Sequence, residues 1–353
     1  MDARPTSIAK PITVSAYGPG GASTRVRLHG WLDHVGLESE DYRFLGRSSN
    51  PPRELLKQPL AVLRAELRLR QLAGRVSQRT VLLSREATPI GRGGIEARLL
   101  SNAAHGVYDY DDALYVGYPQ RFAALLRPTN RLWQKAVQAA DIVIAGSEIL
   151  AEPASELANE VVVIPSCIEP AAYQVKSSYT MGNAPRAVWL GSPSTEPYLA
   201  MIAEPLLRLH REFGLRLTLI SAGNRSYGSL DVMTDRVQWT PEGFAAQLTQ
   251  ADLGIMPLPD DEWTRGKCAY KLLQYAAAGL PTVGSAVGAN IAALAKVSGT
   301  AVHASDDWAD AIRSIIELGE TERAVLGAAA RRGVTEHFSY GVWASSWRAA
   351  TGL

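Results

Sequence analysis

Cysteine is nearly missing from this chain of 353 residues. Cys167 and Cys268 stand far apart without C-x-x-C spacing, so neither a disulfide framework nor a zinc site is encoded, and a reducing cytoplasm is the expected compartment. Long apolar runs are missing too: nowhere do 18 apolar residues follow one another, and the N-terminal MDARPTSIAKPITVSAY carries scattered charges where a signal peptide would have its apolar core. Neither sign of charge dominates. The 36 basic and 35 acidic residues leave a net +1, which removes the electrostatic basis for a dedicated nucleic-acid binder while leaving room for a local basic cleft that holds phosphate. Repeats of solenoid period and low-complexity tracts are also absent. What is present is a globular composition, 46% hydrophobic and 20% charged with a mean hydropathy of -0.05. At about 100–200 residues per domain the length predicts two domains.

Short apolar β-branched runs alternate with helical patterns, the mark of βαβ units and parallel sheets. Six strands are predicted in a first series, at Ile12–Tyr17, Tyr42–Leu45, Thr80–Ser84, Val107–Tyr110, Ile142–Ala145 and Val161–Ile164. Six more follow at Ala187–Leu190, Leu215–Ile220, Val237–Trp239, Leu253–Met256, Thr282–Gly284 and Thr300–His303. Between the series, Pro165–Pro185 has prolines, serines and no periodicity. The expected organisation is a first doubly wound domain over 1–168, a linker over 169–185, a second over 186–335, and a C-terminal helix over 336–353 that Trp343 and Trp347 anchor on the first domain. Ligands of open α/β sheets bind beyond the carboxyl ends of the strands, so the residues following each strand are the ones to read for chemistry.

After the first strand, Tyr17-Gly-Pro-Gly-Gly-Ala-Ser-Thr-Arg-Val-Arg27 sets Gly20 and Gly21 before a helix starting near Ser23. Such a loop serves either as a structural turn or, with Arg25 and Arg27 nearby, as an anion or sugar site. It is no dinucleotide fingerprint, since Ser23 stands where the third glycine belongs, and the phosphate-loop lysine is missing too. The third strand ends in Arg85 and Glu86, which serve as neighbouring ion-pair partners or as cleft groups. The fourth ends in Asp109, Asp111 and Asp112; clustered carboxylates are costly to desolvate, so they hold a cation, share a proton or bind hydroxyls. Gly191, Ser192, Ser194 and Thr195 close the first strand of the second series, to hydrogen-bond phosphate oxygens or to cap a helix. The richest run is Pro257–Pro281. There an acidic loop leads into Gly266, a helix is expected to start near Lys267, and Arg265, Lys267 and Lys271 surround its positive end, an arrangement suited to a diphosphate. Gln274 is expected on the face of Lys267, Tyr270 and Lys271, within reach of a ribose or sugar hydroxyl.

At these residues the chain resembles the family-four type of GT-B glycosyltransferases, retaining enzymes that use nucleotide sugars. The resemblance covers nearly the whole chain and is carried most specifically by Lys271-Leu-Leu-Gln-Tyr-Ala-Ala-Ala-Gly-Leu-Pro281 with Val287-Gly-Ala-Asn290. Ser23-Thr-Arg-Val-Arg27, Asp109-Tyr-Asp-Asp-Ala113 and Gly191-Ser-Pro-Ser-Thr195 support it. It implies two Rossmann-like domains facing across a cleft, the acceptor mainly in the first, the nucleotide-sugar donor mainly in the second, and a terminal helix crossing back. Gly20, Gly21, Gly191, Ser192, Ser194, Thr195, Gly266, Lys267, Tyr270 and Gln274 would then contact the donor, with Lys267 and Lys271 on the diphosphate and Gln274 on the ribose. Arg25, Arg85, Glu86, Asp109 and Asp112 would lie on the acceptor side. Lys271 and Arg265 would stabilise the leaving diphosphate, Asp111 would position acceptor or sugar, and domain closure would exclude water, with no metal or other cofactor required. Three departures stand out. The family's two glutamates, eight apart, are Gly266 and Gln274; its arginine-lysine pair after the first donor-domain strand gives way to Ser192 and its neighbours; and Asp111 stands where many relatives place a histidine.

The expected partners are a nucleotide sugar, UDP-linked by preference and GDP-linked next, and a small-molecule or glycan acceptor. High Ala and Arg usage suits a GC-rich bacterial source and natural-product or polysaccharide biosynthesis. Competing readings are a sugar-nucleotide-binding protein without catalysis, a GT-B-like epimerase or inverting transferase, and an NAD-dependent oxidoreductase, the last disfavoured by the glycine spacing. Leu55–Arg75 reads as an amphipathic helix with Arg64, Arg68 and Arg70 on or near its polar side, either a solvated face or a peripheral membrane contact.

Overall fold

The computed structural model describes residues 10–47, 50, 52–117, 128–241 and 243–353. The chain divides into two units: the described residues up to Cys167 together with Trp343–Leu353, and Ile168–Val342.

The first unit is built on a six-stranded sheet of β1 (Ile12–Ser15), β2 (Glu40–Arg43), β3 (Thr80–Ser84), β4 (His105–Tyr110), β5 (Ile142–Ala145) and β6 (Val161–Val163), in the order β2-β1-β3-β4-β5-β6. The second sheet holds β7 (Arg186–Leu190), β8 (Arg216–Ser221), β9 (Thr234–Gln238), β10 (Leu253–Met256), β11 (Thr282–Ser285) and β12 (Thr300–Val302), in the order β12-β11-β10-β7-β8-β9. Each strand pairing in both sheets is parallel. Parallel strands need crossovers, and the crossover helices cover both faces. Inner strands are accordingly mostly apolar, as in buried Leu253-Gly-Ile-Met256, whereas Glu40-Asp-Tyr-Arg43 and Thr234-Asp-Arg-Val-Gln238 lie at edges, where charge discourages pairing with another chain.

Period-two alternation distributes the β7 side chains between two cores of the second unit. Val188 and Leu190 join the layer containing Leu272, Tyr275, Leu294 and Val334, while Ala187 and Trp189 join Leu206, Leu209, Trp308 and Ile312 on the opposite face. In the first unit the C-terminal helix Tyr340–Thr351 delivers Trp347 onto Trp31. Their buried rings stack with centroids 5.3 Å apart and planes 10° from parallel, and His105 Nε2 lies 2.9 Å from the Ala350 carbonyl oxygen.

Candidate functional site

Each sheet has one place where the chain leaves neighbouring strands in opposite directions. In the first it lies between β1 and β3, in the second between β7 and β10. Loops diverge there and leave a crevice at the carboxyl ends of the strands. Most of the residues singled out by the sequence fall on the loops around these two points.

At the β1/β3 crevice, Gly18–Gly21 turns into a helix whose first turn is Ala22–Thr24 and whose next, Arg25–His29, is a π turn. Gly20 is exposed and Gly21 partly so. The loop is tied to the end of β3: Ala16 N–H donates to the Glu86 carbonyl at 2.7 Å, and the Tyr17 hydroxyl donates to Glu86 Oε1 at 2.6 Å. Arg85 carries a left-handed φ of 61°, a conformation an L-residue adopts at a cost of order 1–3 kcal/mol. Its backbone is held there by two bonds, from its N–H to the Asp109 carbonyl at 2.8 Å and from the Tyr108 hydroxyl to its carbonyl at 2.9 Å. The guanidinium then reaches Ser23 Oγ at 3.0 Å, Asp112 at 2.7 Å and Asp111 at 3.6 Å. Ser23, Arg85, Asp111 and Asp112 thus form one polar cluster, largely shielded from solvent. Burial pushes the Asp111 carboxyl above its ordinary range, Arg85 pulls it back, and Asp112 adds to the rise.

Two acids expected on the acceptor side are used internally instead. Asp109 is buried and accepts from Arg27 through both oxygens, Nε and Nη2 each at 2.8 Å, while Arg27 Nη1 donates to the Ile164 carbonyl at 2.8 Å. Burial pushes the Asp109 carboxyl up to about 6 against the pull of Arg27. Glu86 is buried and bound to Tyr17. Arg25 stays partly exposed in the π turn. Among the described residues no group of three or more His, Cys, Asp or Glu side chains is placed to hold a metal ion.

At the β7/β10 crevice, Gly191 continues β7 and Ser192–Ser194 are exposed. The hydroxyls organise the turn rather than cap a helix. Ser192 Oγ lies 2.9 Å from Ser194 Oγ, and the Thr195 hydroxyl donates to the Ser192 carbonyl at 3.1 Å, with no side-chain bond to the first turn of the following 3₁₀ helix Glu196–Ile202. Gly191 has to be glycine: a Cβ there would stand 2.7 Å from Lys271 Cε and 2.4 Å from the Trp189 ring. Lys271 therefore runs along Gly191 with its ammonium 5.4 Å from the Trp189 ring centroid, a cation–π placement that holds the charge at the end of β7.

The helix expected to start near Lys267 starts at Tyr270, because Ala269 takes a left-handed φ of 55°. A separate short helix, Glu262–Arg265, precedes it, closed at Gly266 and capped by Asp261, which accepts from Thr264 N–H at 2.8 Å. Lys267 thus lies between helices, 5.8 Å from the Trp263 ring centroid, and does not share a helix face with Gln274. Arg265, expected at the leaving group, is exposed and doubly bonded to Asp260, at 2.6 Å and 3.2 Å. Buried Gln274 donates its amide to the Tyr173 hydroxyl at 3.1 Å, and Tyr270 is half-buried against the core.

Tyr275 is the residue that sequence reasoning passes over. Strands β7 and β10 pair only at Ala187–Leu253 and Val188–Gly254 before they separate. Beyond that point the Tyr275 hydroxyl bridges them, accepting from Leu190 N–H at 2.9 Å and donating to the Ile255 carbonyl at 3.2 Å. It satisfies two backbone groups that the splay removes from ladder pairing. The ring fits because Gly254 has no Cβ, which would meet it at 2.3 Å. A glycine inside the apolar strand Leu253–Met256 is the sequence signal for this approach.

Two doubly wound sheets, each with a polar crevice at its switch point, define the class: this is the GT-B fold. Residues 184–318 match the family described as Glycosyl transferases group 1. Over the whole chain the structure is similar to sucrose-phosphate synthase from Thermosynechococcus elongatus, with a TM-score of 0.68 at 16% identity, covering 96% of this chain and 97% of that one. It is similar to WaaG, a glycosyltransferase involved in lipopolysaccharide biosynthesis, with a TM-score of 0.69 at 12% identity over 98% and 100%. A third similar structure is HepE of Anabaena in complex with UDP-glucose, with a TM-score of 0.66 at 14% identity over 98% and 100%. A search of curated protein sequences returns no match. The second unit carries a glycosyl transferases group 1 domain, and the protein is a glycosyltransferase of GT-B fold.

Proposed function

We propose that the protein moves a sugar from a nucleoside-diphosphate sugar, UDP-linked first and GDP-linked next, to a hydroxyl of a small-molecule or glycan acceptor, with retention at the anomeric carbon. The observation carrying this reading is the Lys271 ammonium held over Trp189 beside Gly191, a cation fixed at the end of β7. UDP is preferred because similar structures are described with UDP-glucose and UDP-2-fluoro glucose. In this reading Lys271, assisted by Lys267, stabilises the charge that develops on the leaving diphosphate. The hydroxyls of Ser192 and Ser194 and the Gly191 backbone supply neutral donors. Arg265, paired with Asp260, acts from the rim. In the first unit, Asp111 and Asp112, oriented by Arg85, accept hydrogen bonds from acceptor or sugar hydroxyls, and Gly20 and Gly21 offer a backbone that a ligand can approach.

A second reading, a sugar-nucleotide-binding protein without turnover, rests on Gly266 and Gln274 standing where the resembled family has its two glutamates. A thermal-shift panel of UDP, GDP, CDP, dTDP and NAD at millimolar concentration tests the proposal, because a ligand bound only by the folded state raises the melting temperature by mass action. Selective stabilisation by UDP or GDP is expected, and release of that nucleotide from its sugar conjugate separates transferase from binder. Stabilisation by NAD alone, or by none of the five, contradicts the proposal.

A further inference from the structure

The helix Pro59–Leu72 has two apolar stripes. Ala65, Leu69 and Leu72 are buried in the first unit, and the Tyr42 hydroxyl fastens the helix by donating to the Ala65 carbonyl at 2.6 Å. Leu60, Leu63 and Leu67 are 68%, 55% and 47% exposed. At about 100° per residue these three lie on one line diametrically opposite the buried stripe, the outermost line of the helix. Leu56, at the end of the preceding helix Pro52–Leu56, is 81% exposed. Soluble helices put polar side chains there, and an apolar line left in water marks an interaction surface.

Arginines border the line on both sides, Arg70 on one and Arg64 and Arg68 on the other, all exposed. From Lys57 to Arg75 the segment carries five cations and one carboxylate in a chain of net charge +1. That carboxylate, Glu66, is bonded to the Thr88 hydroxyl. Among the described residues no carboxylate forms an ion pair with Arg64, Arg68 or Arg70.

We propose that this helix docks on an anionic membrane surface, its leucines entering the boundary of the acyl region and its arginines reaching the headgroup phosphates. Length and pattern fit a helix lying in the interface, and no helix among the described residues is long and apolar enough to cross a membrane. A second copy fits worse. A symmetric contact would set the same leucines against themselves and bring arginines against arginines on both borders, with Glu66 already engaged. The proposal stands apart from the reading of the two crevices and is tested without any activity measurement.

The test is co-sedimentation of the full chain with vesicles of phosphatidylcholine alone and with a third phosphatidylglycerol. Wild type is expected to partition at least tenfold more strongly onto the anionic vesicles, falling steeply as salt is raised. Replacing Arg64, Arg68 and Arg70 together by Gln should weaken anionic binding roughly 100-fold, about fivefold per arginine. The triple change Leu60→Ser, Leu63→Ser and Leu67→Ser should weaken it at least tenfold with an unchanged circular dichroism spectrum, since these side chains are exposed. Equal partition onto both vesicle types overturns the proposal. So does a wild-type dimer in sedimentation velocity that the leucine triple converts to monomer, which would give the surface to a second copy.

Discussion

At the β1/β3 crevice the strand ends deliver Asp111 and Asp112 against one arginine, whereas at the β7/β10 crevice the end of β7 delivers glycine and hydroxyls and the helix Tyr270–Ala277 delivers lysine. The backbone architecture of the two places is alike: parallel strands, diverging loops and a polar rim at the carboxyl ends. Their order differs, the first sheet running β2-β1-β3-β4 where the second runs β9-β8-β7-β10, but each has a single reversal point. Topology thus fixes where a ligand can sit, and the side chains that loops and helices bring to that place decide its charge. A crevice whose Asp111 carboxyl is pushed toward protonation suits neutral hydroxyls; one with a lysine fixed over an indole suits an anion. The supports differ as well. The first crevice rests on a buried ion pair, Arg27–Asp109, and the second on a neutral bridge, the Tyr275 hydroxyl.

The sharpest way to break this comparison is to remove the ionic support. Arg27→Met leaves Asp109 buried without its partner and should destabilise the protein by about 3–5 kcal/mol, read from urea unfolding. Changing the anion site comes next. Lys271→Ala should lower release of nucleotide from the sugar donor by a factor of about 100, roughly 2.7 kcal/mol, and wild-type rates in that variant would remove Lys271 from the diphosphate.

Tyr275→Phe strips the neutral support. It leaves Leu190 N–H and the Ile255 carbonyl unpaired and should destabilise by about 1–3 kcal/mol, with weaker nucleotide binding because the β7 end loses its tether.

The smallest effect depends on pH. Glu96 is buried, accepts from Ala87 N–H at 3.1 Å and Thr88 N–H at 3.4 Å, and burial raises its carboxyl from 4.5 to about 7. The folded state therefore holds this proton more tightly than the unfolded chain does. The stabilising contribution is complete below pH 4.5 and is lost as pH rises through 7, at most about 3 kcal/mol. Against Glu96→Gln, wild type should lose melting temperature progressively between pH 5 and pH 8. Parallel curves for the two proteins would show that Glu96 is ionised throughout.

The inner strands were legible because apolar β-branched runs are local signals, and the charged edge strands β2 and β9 were found only in part. The boundaries that shifted belong to polar or glycine-containing stretches: β2 covers Glu40–Arg43 rather than Tyr42–Leu45, β9 covers Thr234–Gln238 rather than Val237–Trp239, and β4 starts at His105 rather than Val107. The cluster of Arg85 with Asp111 and Asp112 was legible as residues following adjacent strands, and Lys271 as a cation near a helix start, without its contact to Gly191. What did not show was pairing across long sequence distances. Arg27 and Asp109 are 82 residues apart and Tyr275 and Leu190 are 85, and nothing in either local pattern names the partner. The start of the Tyr270–Ala277 helix was misplaced for a backbone reason, since alanine gives no warning of a left-handed conformation.

The most direct test of the division between the crevices is calorimetric binding of UDP to wild type, Lys271→Ala and Asp111→Asn. A diphosphate held at the β7/β10 crevice predicts a loss of about tenfold or more in Lys271→Ala and affinity within about twofold of wild type in Asp111→Asn. Unchanged affinity in Lys271→Ala together with a loss in Asp111→Asn would place the nucleotide at the β1/β3 crevice and contradict the account.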